Sequence, residues 1–406
     1  MEKIKGLLEK HYIKINKIII YFLLLSMSLF LSTDYFPIVE VCLVFIGIYI
    51  MSFCAMKKFK PLIEFIKSPF FIWYASFWVL VIAITALRNA EQMMILIKTI
   101  IAFSAYIFGF GILYSDKETR KSIDICKVFE VVAVVICIWI LVFEYELLFQ
   151  GERIGYSVMI GNPNSAASLL SIFVFFIIFK TKKTKSVKDL LALLLCIMII
   201  FATGSKKAIV VVAIALMMFL FKNGQLVKKR LLYFGIATVI AIAVCFMVPV
   251  LYDNVARRFL SLFGELGIIN FRSDHSSELR TQYTDKAIEL WKNNIIFGGG
   301  YDNFRINSGY ATYSHNNYVE LLSSVGIVGT IYYYAYYIYL LAKQFVKKNM
   351  QSVLCILFIV STLISDVGSV IFSTYPMYYI MLMILGKEIE HKDIEEETSN
   401  AGQKNS

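Results

Sequence analysis

The sequence is poor in charged residues and has only one long polar segment, Tyr252 to Tyr313. Charged residues make up 17% of the 406 positions, whereas hydrophobic residues make up 59%. Apolar runs of membrane-spanning length recur along the rest of the chain, which excludes an ordinary soluble domain. We therefore predict an all-α fold, a polytopic membrane helix bundle of about twelve spans with one large extracytoplasmic loop between spans 9 and 10.

Several motifs are also missing from the sequence. The seven cysteines form no CxxC pair and lie outside the polar segment, so neither a disulfide framework nor a cysteine metal site is expected. There is no nucleotide-binding glycine loop and no internal repeat. The first hydrophobic segment has no small-residue cleavage site, so we interpret it as an uncleaved anchor. We expect no metal and no cofactor.

The apolar segments predict the order of the spans. They lie near 18–32, 37–56, 69–87, 93–114, 128–149, 165–179, 190–203, 208–221, 231–251, 317–342, 352–366 and 374–386. Four regions follow: membrane helices 1–9 in 1–251, the large extracytoplasmic loop with an amphipathic helix in 252–314, membrane helices 10–12 in 315–386, and a disordered cytoplasmic tail in 387–406.

The amphipathic helix of the loop is expected to begin at Ser276 or Ser277 and to end near Asn294. Its apolar face would comprise Leu279, Tyr283, Ala287, Leu290 and Trp291. Such a helix lies either on the outer membrane surface or on the bundle itself.

Lysine and arginine predict the orientation of the bundle. If the N-terminus is inside, every inner segment is basic, and these segments hold most of the 40 basic residues. Both termini then lie in the cytoplasm, and the 252–313 loop lies outside the cytoplasmic membrane. Basic loops against an anionic inner leaflet explain the net charge of +11, so no nucleic-acid partner is needed.

Three predicted helix starts face the outer side: Asn162-Pro-Asn-Ser165, Gly204-Ser-Lys-Lys207 and Ser314-His-Asn316. Each offers free backbone N–H groups and the positive end of a helix dipole. Cations are disfavoured in a first helical turn, which makes Lys206 and Lys207 unusual. Either an anion binds between them, or the two lysines extend to the outer headgroups.

Two arginines are candidates for gripping phosphate oxygens in a bidentate fashion, Arg153 before the first of these starts and Arg280 in the loop helix. The alternative for each is a solvated surface charge. Composition does not select among the loop arginines, which also include Arg257, Arg258, Arg272 and Arg305.

Of the four histidines, His315 is the best placed for chemistry. A helix N-terminus disfavours the imidazolium, so this ring is expected to stay neutral and to accept a proton near pH 7. The alternatives are a helix N-cap or an interfacial hydrogen bond.

Ionisable residues within the predicted spans are costly unless they are paired. They are Lys98, Glu40, Glu144, Glu320 and Asp366. We interpret Lys98 and one of the carboxylates as a structural pair.

His315-Asn-Asn-Tyr-Val-Glu320, followed by Gly326 and Gly329, resembles the signature of the O-antigen ligase and Wzy-type polysaccharide polymerase superfamily. The same order of elements appears upstream: Arg153-x-Gly155, Asn162-Pro-Asn164, Thr203-Gly-Ser-Lys206, and Arg280 with the glycine-rich turn and Phe304. The resemblance covers roughly residues 150 to 345. Lys206 departs from it where the family often has Arg, and Ile295 where a Pro often precedes the turn.

The resemblance implies a metal-independent glycosyltransferase whose donor is an undecaprenyl-pyrophosphate-linked oligosaccharide. Such an enzyme polymerises repeat units into capsular, exopolysaccharide or O-antigen chains on the outer face of the membrane. The alternatives are a ligase that transfers the glycan to another acceptor, and a flippase for lipid-linked oligosaccharides. Implied partners are the lipid-linked donor and acceptor, the bilayer, and a flippase and chain-length regulator of the same pathway.

The resemblance also implies roles for particular residues. The catalytic residues would be His315, as base or orienting group for the acceptor hydroxyl, and Arg280. The pyrophosphate-binding residues would be Arg153, Lys206, Lys207 and Asn164. The substrate-positioning residues would be Asn316 and Glu320.

The orientation predicts how an introduced cysteine reacts. In intact cells, Ser276→Cys in the predicted outer loop should react with a membrane-impermeant thiol reagent. The same substitution at Ser186, in a predicted inner segment, should react only after permeabilisation. Labelling of Ser276→Cys only in permeabilised cells would invert the orientation.

Overall fold

The computed structural model is built from helices. It describes residues 2–29, 36–150, 152–157, 162–222, 225–247, 260, 275–345, 347 and 349–387. The helices are α1 (Glu2–Leu29), α2 (Phe36–Met56), α3 (Lys60–Ile66), α4 (Pro69–Arg88), α5 (Met93–Ser115), α6 (Lys117–Ser122), α7 (Ile125–Phe149), α8 (Pro163–Thr184), α9 (Val187–Ala202), α10 (Lys206–Leu216), α11 (Lys228–Met247), α12 (His275–Lys292), α13 (Asn303–Asn307), α14 (Asn317–Phe345), α15 (Met350–Asp366) and α16 (376–387).

The structure confirms an all-α, multi-pass membrane protein. Seven helices in the described ranges are long and apolar enough to cross a membrane: His11–Leu29, Val39–Met56, Pro69–Arg88, Ala90–Ser115, Ile125–Phe149, Pro163–Thr184 and Asn317–Phe345. A helix also lies at each of the other predicted spans, namely α9, α10, α11, α15 and α16. The count of twelve therefore stays a prediction. Most of 248–274 and all of 388–406 fall outside the described residues, and with them much of the predicted loop and tail.

The eighth predicted span is shorter than expected. Helix α10 ends at Leu216, and a 3₁₀ turn over Met217–Leu220 leads into a small hairpin of Phe221–Lys222 and Gln225–Leu226. In this antiparallel pair, Phe221 lies opposite Leu226. Lysine and arginine side chains from neighbouring helices bond the carbonyl groups where the helix ends, which satisfies them without further helical turns.

Helix α8 lies at the centre of the bundle, packed against α7, α9, α10 and α15. It is buried on every side from Ser165 to Ile178, and 78% of its span is covered by the protein. At its far end, Lys180 bonds Glu130 of α7 and, at 2.8 Å, Asp189 of α9. A half-buried cation between two buried carboxylates ties three helices together, because removing it would leave two uncompensated charges.

The N-terminal helices join the rest of the bundle through an aromatic seam. The indole of Trp73 in α4 stacks on Tyr336 of α14 at 4.9 Å between ring centroids and donates to the Tyr332 carbonyl at 3.0 Å. The hydroxyl of Thr85, also in α4, accepts from the Tyr301 N–H at 2.9 Å. Helix α4 thus supports both α14 and the turn before it.

Helix α14 is broken at Gly326, whose φ of 66° and ψ of −167° are not helical. The next two N–H groups donate to a loop segment instead, Ile327 to the Ile295 carbonyl at 3.0 Å and Val328 to the Ile296 carbonyl at 3.2 Å. A break at membrane depth is tolerated only where the freed backbone groups find partners in the protein. The loop segment supplies those partners.

The glycine-rich turn completes the same contact from the other side. Gly298 donates to the Asn294 carbonyl at 2.8 Å, as expected of a glycine that follows a helix end. In addition, Gly299 and Gly300 donate to the carbonyls of Ser323 and Ser324 at 2.8 and 2.9 Å. These backbone bonds hold the turn against the broken helix, and the Asn303 amide adds a bond to the Ser323 carbonyl at 3.0 Å.

Helix α12 packs on α14. Of the two predicted locations, it therefore lies on the bundle and not on the membrane surface. It begins at His275, one residue before the expected start. Its predicted apolar face forms a small core separate from the main one, in which Ala287, Phe304 and Val319 are buried against Tyr283 and Leu290.

Gly326 should not tolerate a side chain. Its backbone angles are accessible essentially only to glycine, and a Cβ there would lie 2.3 Å from the Ile296 carbonyl oxygen. We expect Gly326→Ala to cost at least about 1–3 kcal/mol and to expose the loop to protease. Thermal unfolding in detergent and limited proteolysis measure these effects. Gly47→Ala is the matched control, because nothing lies within 4 Å of that position. Equal unfolding temperatures and equal cleavage of the two variants would contradict the contact between the loop segment and α14.

Candidate functional site

His315 lies in the turn between α13 and α14, two residues before α14 begins. Its φ of 58° puts it in the left-handed region, which is uncommon for a residue other than glycine. The imidazole is half-buried between Tyr313, at 4.3 Å between ring centroids, and Tyr283 of α12, which stacks on it at 5.9 Å. The ring is therefore held in one position by the aromatic side chains on either side.

Two polar side chains shape the turn that carries His315. The Asn316 Oδ1 accepts from the Tyr318 N–H at 3.0 Å and so acts as the N-cap of α14, a role that was one alternative for the histidine. Glu320 is buried, and its Oε2 accepts from the Ser314 N–H at 2.7 Å. The side-chain oxygens of Asn316 and Glu320 both accept from backbone N–H groups. The two residues therefore position the turn around His315 directly.

The His315 imidazole is neutral at pH 7. Burial, together with the positive charges of Arg280 and Lys207, lowers its pKa from 6.5 to about 4. The direction agrees with the sequence prediction, but the cause differs, since burial and two cations replace the helix dipole. Lys207 of α10 and Arg280 of α12 therefore both lie within electrostatic reach of the turn before α14.

Lys207 points into the protein rather than towards the headgroups. Its Nζ contacts the Ser369 hydroxyl and lies 3.5 Å from the Gly368 carbonyl, just after α15. The buried carboxylate of Asp366, which accepts from the Tyr334 hydroxyl at 2.7 Å, acts on the same ammonium. The alternative that Lys207 extends to the outer headgroups is therefore wrong.

The expected pairing of Lys98 is also not found. Lys98 is exposed on α5, and none of the ion pairs among the described residues includes it. An exposed ammonium on the membrane side of a helix reaches the headgroups by its own length and needs no partner inside the bundle.

Arg153 lies between the start of α8 and the end of α9. Its Nε donates to the Thr203 carbonyl at 2.6 Å, and its Nη2 donates to the Asn164 Oδ1 at 2.9 Å. Thr203 comes four residues before Lys207. The structure thus brings Arg153, Asn164 and the lysine pair at the start of α10 to the same side of the bundle.

Sequence reasoning missed the role of Glu144. This buried residue lies at a kink in α7, and its carboxylate accepts the N–H groups of Gly155, Tyr156 and Ser157. It therefore holds the short segment that carries Arg153. The sequence shows Glu144 as a lone acidic residue in an apolar helix, which indicates a buried partner. Its partners are backbone N–H groups, which the residue types around it do not reveal.

Two basic side chains, Arg280 and Lys207, act on the neutral imidazole, and the Asp366 carboxylate acts on Lys207. In the described part of the chain, no group of three or more His, Cys, Asp or Glu side chains could hold a metal ion. Arg280 has no carboxylate within ion-pairing distance among the described residues. The arrangement can take a proton from a hydroxyl and attract an anion.

Comparison with known protein families identifies one match. Residues 191–334 match the family model described as O-antigen ligase. This stretch of the chain is similar to that family. The match confirms the resemblance found in the sequence. The matched stretch contains Lys206, Lys207, Arg280, His315 and Glu320.

The candidates Arg153 and Asn164 precede the matched stretch. They join it through the bond from Arg153 to Thr203. No curated protein sequence matches the chain.

The lowered pKa of His315 predicts its reactivity towards diethyl pyrocarbonate, which attacks only the unprotonated ring. The modification rate at His315, measured by mass spectrometry, should be half-maximal near pH 4 rather than near pH 6.5. Arg280→Gln removes a cation that disfavours the imidazolium, so this midpoint should rise.

Arg305→Gln is the matched control for this prediction. Arg305 lies near the site but pairs with Asp302 at 3.4 Å, and its charge does not contribute to the shift at His315. Equal midpoints in the Arg280 and Arg305 variants would contradict the proximity of Arg280 to the imidazole.

Proposed function

We propose that the protein is a membrane glycosyltransferase that uses a polyprenyl-pyrophosphate-linked oligosaccharide as donor. One observation carries this proposal: a neutral imidazole lies within electrostatic reach of two cations, Arg280 and Lys207, at the start of a membrane helix. Glycan transfer from a pyrophosphate needs a group that accepts the hydroxyl proton and cations that stabilise the departing anion. The match to the O-antigen ligase family supports the same reaction class.

In the proposed reaction, His315 takes the proton of an acceptor sugar hydroxyl. The hydroxyl oxygen attacks the anomeric carbon of the donor sugar, and the bond from that carbon to the pyrophosphate oxygen breaks. The electron pair leaves with the polyprenyl pyrophosphate, whose negative charge Arg280 and Lys207 offset. The proton on His315 is then released to solvent or to the leaving group.

The arginines have different parts in this proposal. Arg280 is the clamp nearest the reacting atoms, because its charge acts on the imidazole and no carboxylate competes for it among the described residues. Arg153 is held by Asn164 and Thr203, which orients its guanidinium at the edge of the site. Lys206 begins the helix beside it and adds a further positive charge.

We propose a polymerase that joins undecaprenyl-pyrophosphate-linked repeat units into capsular, exopolysaccharide or O-antigen chains at the outer face of the cytoplasmic membrane. A ligase is the second candidate, since the family match supports it equally. Product analysis separates them. A polymerase yields a ladder of lipid-linked chains, whereas a ligase moves one glycan to a different acceptor. A flippase, the third candidate, would not depend on a proton-accepting imidazole.

Substitutions of His315 test the proposal. We expect His315→Ala to leave a folded, membrane-inserted protein that accumulates single lipid-linked repeat units, with polymerisation reduced about 10²- to 10⁴-fold. His11→Ala, at an exposed position on α1, is the matched control and should retain wild-type chain lengths. Chain lengths are read from gels of lipid-linked product, and protein levels from isolated membranes.

His315→Gln separates two roles of the same residue. An amide still hydrogen-bonds an acceptor hydroxyl, but it does not take up the proton. Substantial activity in His315→Gln would make the residue a positioning group, and wild-type chains in His315→Ala would remove it from the mechanism.

A further inference from the structure

A charged cavity lies at the opposite end of α8 from the candidate site. Its volume is about 890 Å³. Asn164 lies at the start of α8 and Lys182 near its end, so at 1.5 Å per residue roughly 27 Å of helix separates the two places. This distance is close to the thickness of the hydrocarbon core of a bilayer. The cavity therefore opens at the other membrane surface, which the predicted topology makes the cytoplasmic one.

The cavity carries positive charge without a balancing carboxylate. Its lining includes five cationic side chains and no acidic one; the cations are Lys182, Lys183, Lys185, Lys222 and Arg230. None of these five takes part in the ion pairs found among the described residues. The nearby carboxylates, Glu130 and Asp189, form ion pairs with Lys180 instead. The charge of the cavity is therefore available to an anion.

Two of the cations are directed at one neutral oxygen. Lys182 donates to the Phe221 carbonyl at 2.6 Å, and Arg230 donates to the same carbonyl at 2.9 Å. Both side chains are half-buried, so solvent screens their repulsion only in part. A carbonyl group offsets neither charge. An anion bound between them would relieve the repulsion.

The rest of the lining is apolar, with Phe179, Val187, Leu190, Phe219 and Met350 around the cations. Val187 and Leu190 are exposed on α9, although they lie beside charged groups at the end of a membrane helix. A ligand that fits both surfaces has a phosphate at one end and hydrocarbon at the other. Basic pockets at the cytoplasmic ends of membrane helices bind anionic lipid headgroups in this way.

We propose that this cavity binds the phosphate headgroup of an anionic phospholipid, with the acyl chains along the apolar wall of α8 and α9. The lipid would join the turn between α8 and α9 to the hairpin and to the start of α11. This site is independent of the proposed glycan transfer.

Binding of phosphatidylglycerol to the purified, delipidated full-length protein tests the proposal. The variant Lys183→Gln/Lys185→Gln/Lys222→Gln removes three exposed cations and no described hydrogen bond. We expect its apparent Kd for phosphatidylglycerol, measured by native mass spectrometry, to rise roughly tenfold to a hundredfold. Phosphatidylcholine with the same acyl chains should bind both proteins weakly.

A control with the same charge change is Lys60→Gln/Lys117→Gln/Lys121→Gln, at exposed positions outside the cavity. It should keep the wild-type affinity for phosphatidylglycerol. Equal loss in both triple variants would reduce the effect to overall charge and overturn the proposal.

Inorganic phosphate distinguishes a lipid from a soluble ligand. Added in excess, it should displace phosphatidylglycerol no better than chloride at the same ionic strength. Stronger displacement by phosphate would assign the cavity to a soluble phosphate and overturn the lipid proposal.

Discussion

The backbone pairing between the glycine-rich turn and the broken helix α14 is the constraint on which the candidate site depends. Gly326 interrupts the helix, and the carbonyls of Ile295 and Ile296 take the N–H groups that the helix leaves free. Because these bonds join main-chain atoms at a fixed depth, they set the position of everything between the turn and the helix start. The turn around His315 lies within that stretch of chain, and α12 ends three residues before Ile295.

Two buried glutamates have a similar function on either side of the site. Glu144 gathers the N–H groups before α8, and Glu320 takes the N–H of Ser314. Each carboxylate offsets the cost of its burial by bonding backbone donors, and each thereby orders a segment that carries a candidate functional residue. The cations and the imidazole are held indirectly, by carboxylates that do not pair with them.

The sequence predicted much of this arrangement and missed its causes. Apolar length predicted a helix at each span, whereas the grouping of Arg153 with Arg280 and His315 stays a prediction. The neutral state of His315 was predicted from a helix dipole, but burial beside two cations produces it. The inward direction of Lys207 was not predictable, because it depends on Gly368 and Ser369 far away in sequence. The partners of Glu144 were not predictable either, because they are backbone N–H groups, which every residue type except proline carries. The end of α10 was misplaced for the same reason, since carbonyl capping by distant side chains leaves no local pattern.

The separate small core under α12 has a consequence for the release of product. In the proposed reaction, a growing glycan would have to leave the site after each transfer. Helix α12 carries Arg280 and rests on a few apolar side chains apart from the main core. A segment held by few buried apolar contacts opens locally at a lower free energy than a large packed core. Under the proposed function, we therefore expect a product chain to leave by local opening of this helix while the membrane helices stay folded.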